Sequence, residues 1–141
     1  MMQILQVFYS IFSGIVTSLA IPNELLLLGS PILGIIALIP LFVVISRSKS
    51  FAEAGLLTGL QLFVTHMLSS YWLGRFKDFA IFTLGASGVA YFVFGFVFGN
   101  YLYLPFRYTD GKNKLKSYSI YASSYSVQQI LSFAAIWTIY E

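Results

Sequence analysis

Few side chains in this sequence are equipped for chemistry. The single histidine, His66, lies about one turn beyond Gln61 in a run without Asp, Glu, Lys or Arg. An ionisable group in such a run is a neutral, hydrogen-bonded side chain or a proton relay or ligand. A metal site would require a second His, a Cys or a carboxylate at ligand spacing, and His66 has none. A second group is Tyr71-Trp72 followed by Arg75 and Lys77. Rings beside cations anchor a helix at a membrane surface. The same side chains could instead meet lipid, with the cations on phosphate and the rings along an acyl chain.

Other chemistry is excluded by composition. The chain has no cysteine, which removes a disulfide framework, a thiolate metal cage and a thiol nucleophile. No phosphate loop, nucleophile elbow or carboxylate pair occurs, so no catalytic, metal or cofactor residue is assigned. Eight Lys and Arg give a formal net charge of +3. Split among short connections, they form no face suited to nucleic acid.

The elements around these groups are set by hydropathy. Of 141 residues, 58% are hydrophobic and only 9% are charged, where soluble domains carry roughly 25% charged residues. Five stretches lack Asp, Glu, Lys and Arg altogether: Met1 to Asn23, Leu25 to Ser46, Ala54 to Gly74, Phe79 to Phe106 and Ser117 to Tyr140. A helix of about 20 apolar residues crosses the hydrocarbon core. The predicted fold is therefore all-α, one polytopic membrane domain over residues 1–141. Its transmembrane helices are expected at about 3–21, 25–46, 52–74, 79–104 and 120–140. Ser18-Leu19-Ala20 resembles a signal-peptide cleavage site, but no basic residue precedes it, and the first stretch is expected to stay as a span.

Pro22 should end the first helix, and Pro31, Pro40, Gly29 and Gly34 should make the outer end of the second irregular. Pro105 is expected to stop the fourth, with Thr109-Asp110-Gly111-Lys112-Asn113 as a turn. The fifth starts among hydroxyl and amide side chains and turns apolar only at Ile130. Gly55 with Gly59 and Gly95 with Gly99 have the four-residue spacing that lets helices approach closely, as have Ala86 with Ala90 and Gly14 with Ser18. Arg47, Lys49, Arg107, Lys112, Lys114 and Lys116 fall in the loops after the second and fourth helices, against Arg75 and Lys77 on the other side. That asymmetry places the amino terminus in the cytoplasm.

In order and spacing the segments resemble the amino-terminal membrane region of bacterial apolipoprotein N-acyltransferases. The landmarks are Phe12-Ser13-Gly14, Leu19-Ala20-Ile21-Pro22 and Ala37-Leu38-Ile39-Pro40-Leu41-Phe42. They continue with Gly55, Gly59, Phe63, Tyr71-Trp72-Leu73, Lys77-Asp78-Phe79, Ala90-Tyr91 and Trp137-x-x-x-Glu141. The resemblance runs from about Phe12 to Glu141 and implies a multi-pass protein of the bacterial inner membrane, oriented as the charges indicate.

Members of that family transfer an acyl chain from phospholipid to the amino-terminal diacylglyceryl-cysteine of a lipoprotein. The chain passes through a cysteine thioester in a nitrilase-like domain, activated by a glutamate and a lysine. None of those three residues maps here, and Glu141 matches a glutamate of the membrane region. The sequence is thus expected to be a truncated product, a piece of a split gene or an engineered fragment, inactive alone. Its expected partners are the phospholipid bilayer, the missing catalytic half and the prolipoprotein substrate. Two readings compete: a small transporter or channel subunit built on His66, and a non-catalytic scaffold assembling through Gly55, Gly59, Gly95 and Gly99.

Overall fold

The computed structural model describes residues 4–22, 27–75, 80–112, 127 and 130–137, and every regular element among them is helical. In chain order these are α1 (Ile4–Ala20), α2 (Pro31–Arg47), α3 (Phe51–Ser69), the short 3-10 helix η1 (Tyr71–Arg75) and α4 (Ala80–Lys112). A further helical stretch, 130–137, packs on the core.

Local chemistry explains the boundaries. Ser30 caps α2 by accepting from the Leu33 amide at 3.4 Å, and Pro31 occupies the first turn, where its missing N–H costs nothing. Before it, Gly29 adopts φ +62°, a left-handed conformation suited to glycine, and the Ser30 amide donates to Ala20 O at 2.8 Å. The chain thereby folds back on the end of α1. For α3 the cap is Ser50, accepting from Glu53 N at 3.2 Å, while Glu53 reaches back to accept from Lys49 N at 2.8 Å.

Two expectations fail here. Pro105 does not stop α4, which continues through it to Lys112, so 109–112 is helix rather than turn. Proline removes one backbone donor and crowds the preceding turn. A helix supported on both sides of the break can absorb that loss. Pro40 is accommodated in the same way inside α2.

Two helices, Phe51–Ser69 and Phe82–Phe106, are long and apolar enough to cross a membrane; α1 and α2 are apolar but have 17 residues each. The polarity of α1 is inverted relative to a soluble protein. Ile4, Leu5, Phe8 and Phe12 are exposed, whereas Gln6, Ser10, Ser13 and Ser18 are buried. With the buried Gly14, Gln6, Ser10 and Ser18 recur every four residues and Ser13 lies beside them, which puts them on one face. Ser10 donates to Leu57 O, and Ser13 to Ala37 O at 2.7 Å, tying α1 to α3 and α2.

The apolar core lies toward the other side. Leu41 and Ile45 of α2, Ala54 of α3, and Phe98, Leu102 and Phe106 of α4 enclose Phe133 and Trp137. Phe42 meets Phe106 and Phe133 edge-on, at 5.4 and 5.3 Å between centroids, and Phe51 meets Tyr103 at 5.2 Å. Edge-to-face pairs exploit the ring quadrupole.

Candidate functional site

The polar groups of α3 converge on one end of the bundle. Gln61, Thr65, His66 and Ser69 follow at helical spacing, with Ser70 at the C-cap. Gln61 is fully buried and donates from Nε2 to Thr17 Oγ1 at 3.2 Å and to Thr65 Oγ1 at 3.4 Å. Its Oε1 is buried without a hydrogen-bond partner among the described residues. Thr65 lies 3.2 Å from Gly14 O and donates to Gln61 O at 2.9 Å. These bonds lock α1 against α3.

His66 bridges two serines. Its Nε2 is 2.7 Å from Ser87 Oγ of α4, and its Nδ1 is 3.3 Å from Ser70 Oγ. The ring stacks on Tyr91 at 4.1 Å with 11° between planes. The tautomer follows from proton accounting. Ser87 donates its one hydrogen to Thr83 O at 2.6 Å, with Leu84 O at 3.1 Å as a second acceptor. Ser87 Oγ must then accept from His66 Nε2–H, which leaves Nδ1 to accept from Ser70. His66 thereby crosslinks α3 to α4. Among the described residues no group of three His, Cys, Asp or Glu could hold a metal ion.

Beside this network lies a cavity of about 840 Å³. Its wall combines the polar Thr17, Thr65, His66, Ser69 and Ser70 with the apolar Ile35, Leu38, Leu62 and Trp137. The cavity borders the turn between α1 and α2 through Ile21, Pro22 and Ser30. Trp137 belongs both to this wall and to the aromatic core, where it lies 5.9 Å from Phe98. The sequence singled out His66, with Gln61 only as its neighbour one turn earlier, and gave no sign of the cavity. The hydroxyl spacing Thr65, Ser69 was its available trace.

Tyr71, Trp72 and Arg75 share η1, immediately after α3. Tyr71 and Trp72 are partly exposed, and the Arg75 guanidinium sits 5.7 Å from the Tyr71 ring centroid. A cation at that distance is attracted by the ring face. Lys77 lies outside the described residues. The four glycines sit where α3 and α4 meet. A Cβ on Gly55 would come within 2.7 Å of Phe96 O, and one on Gly59 within 2.8 Å of Phe92 O. From the α4 side, a Cβ on Gly95 would meet Gly59 Cα at 2.8 Å, and one on Gly99 would meet Ala54 O at 2.7 Å.

Among the described residues, fold and site together form a small all-helical bundle with many exposed apolar side chains, an aromatic core and a hydroxyl-rich cavity. The family described as the apolipoprotein N-acyltransferase N-terminal domain matches residues 13–141, and the chain belongs to that family. It is 36% identical over 135 residues to apolipoprotein N-acyltransferase 2 of Treponema denticola, covering 95% of this chain and 23% of the relative. Against apolipoprotein N-acyltransferase 2 of Treponema pallidum the identity is 33% over 129 residues, covering 92% and 20%. The apolipoprotein N-acyltransferase of Borreliella burgdorferi is 32% identical over 124 residues, covering 88% and 23%. The chain thus spans between a fifth and a quarter of the length of these relatives. No solved structure matches it.

Proposed function

We propose that this chain acts as the membrane-anchoring region of an apolipoprotein N-acyltransferase in the bacterial inner membrane. In this reading it crosses the bilayer five times, at about 3–21, 25–46, 52–74, 79–104 and 120–140, with its amino terminus in the cytoplasm. It anchors the catalytic part of the enzyme, which acylates the amino-terminal cysteine of a prolipoprotein. Tyr71, Trp72, Arg75 and Lys77 form one wall of a lateral opening for phospholipid. Gly55, Gly59, Gly95 and Gly99 keep α3 and α4 in close contact behind it.

The carrying observation is the family match across residues 13–141. The inverted polarity of α1 supports a lipid surround, since exposed Ile4, Phe8 and Phe12 would otherwise face water. The experiment is complementation in two pieces. Co-expression with the remaining region of the Treponema denticola relative should restore acyl transfer to a lipoprotein, and the two pieces should co-purify. Pieces that never associate, with no transfer, would refute the anchoring role.

A further inference from the structure

The cavity beside His66 has a hydrogen-bonding character that identifies its occupant. Its volume, about 840 Å³, is within the roughly 300–1,000 Å³ of small-molecule sites. Among the described residues, no Asp, Glu, Lys or Arg lines it. An ion entering such a site would lose hydration without meeting a countercharge among those residues, which is costly.

The polar wall is rich in acceptors, because its protons are already committed. Thr17 donates to Ser13 O at 2.8 Å, Thr65 to Gln61 O at 2.9 Å, Ser69 to His66 O at 3.4 Å and Ser70 to His66 Nδ1 at 3.3 Å. Thr17 and Thr65 also accept from Gln61 Nε2, which leaves each of them one lone pair and leaves more acceptor capacity on Ser69 and Ser70 for an incoming donor. Ser30, which also lines the cavity, accepts from Leu33 N, so its own proton can meet an acceptor. A hydroxyl group suits this lining, because its single proton can be donated to an α1 or α3 hydroxyl oxygen while its own oxygen can accept from a hydroxyl such as that of Ser30. Ester and ether oxygens can only accept, and they would leave the acceptors of Thr65, Ser69 and Ser70 unmatched.

We infer that this cavity binds one uncharged amphiphile with a hydroxyl head, the head against Thr65 and Ser70 and the alkyl chain along Leu38, Leu62 and Trp137. The class includes long-chain alcohols and partial glycerides. This site differs from the surface formed by Tyr71, Trp72 and Arg75, and binding to it does not require the complete enzyme.

The test uses the full chain in phosphatidylcholine nanodiscs, whose lipid has no hydroxyl to compete. The probe is a long-chain alcohol bearing a photoreactive diazirine. Its methyl ether and its primary ammonium analogue serve as comparisons, with labelled peptides located by mass spectrometry. The alcohol should label peptides containing Leu62 to Ser70 or Trp137. Labelling by the ether should be about 5- to 10-fold weaker, the equivalent of one lost hydrogen bond.

Thr65→Val and Ser70→Ala should each reduce alcohol labelling several-fold and leave ether labelling unchanged. Gly34 lines the cavity and has only Ala20 Cβ, at 3.8 Å, near its own Cβ position. Gly34→Leu should therefore fill the space and abolish labelling while leaving helical circular dichroism intact. Equal labelling by alcohol and ether would overturn the proposal. So would stronger labelling by the ammonium probe, or labelling that survives Gly34→Leu.

Discussion

At the residue scale, interior hydrogen bonds in this protein differ in how well they are completed, and that decides which substitutions it tolerates. His66 and Ser87 are fully matched: Nε2–H to Oγ, and Oγ–H to Thr83 O. Ser87→Ala leaves the Nε2–H without its acceptor in an apolar setting. The expected loss is about 1–3 kcal/mol, read as a lower unfolding midpoint in detergent micelles. Gln61 is the opposite case, because its two bonds are long and its Oε1 has no partner among the described residues. Gln61→Leu gives up weak bonds but also removes an orphaned acceptor, so stability should change by less than about 1 kcal/mol. A Gln61 variant that unfolded as readily as Ser87→Ala would show that Oε1 has a strong partner.

At the element scale, the α3–α4 contact is decided by the absence of side chains. Gly95 faces the backbone of Gly59 and Thr58, whereas Gly85, on the same helix, has nothing within 4 Å of its Cβ position. Gly95→Ala must push two backbones apart and should cost at least about 1–3 kcal/mol, as overpacking does. Gly85→Ala should instead stabilise by up to about 1 kcal/mol through helix propensity. The pair can be compared by unfolding titration in mixed micelles, and equal effects would rule out a backbone contact at Gly95.

This scale also shows how much was legible beforehand. The apolar runs and the Gly-x-x-x-Gly spacings are local signals, and the helices appear where those runs lie. Pro105 misled because a proline reports a lost hydrogen bond, not whether neighbouring turns hold the helix together. The inward face of α1 could have been read from spacing, since Gln6, Ser10, Gly14 and Ser18 repeat every four residues with Ser13 beside them. The cavity could not, because Thr17, Leu38, Thr65 and Trp137 belong to four separate segments.

At the scale of the whole molecule, the absence of cysteine makes the orientation of the bundle directly measurable. Single cysteines at Glu24, Lys49 and Asp110 would be the only thiols in the chain. Six of the eight basic residues lie in the connections that follow the second and fourth hydrophobic stretches, and such connections are retained in the cytoplasm. In intact spheroplasts a membrane-impermeant maleimide should label Glu24→Cys and spare Lys49→Cys and Asp110→Cys until the membrane is permeabilised. The His66 cavity borders the turn at Pro22 and Ser30, so the same labelling pattern would place it in the outer half of the bilayer. There it would open toward the leaflet that Tyr71, Trp72 and Arg75 are proposed to contact. Labelling of Asp110→Cys before permeabilisation would invert the bundle, move the cavity to the inner leaflet, and separate these residues from any chemistry on the outer face.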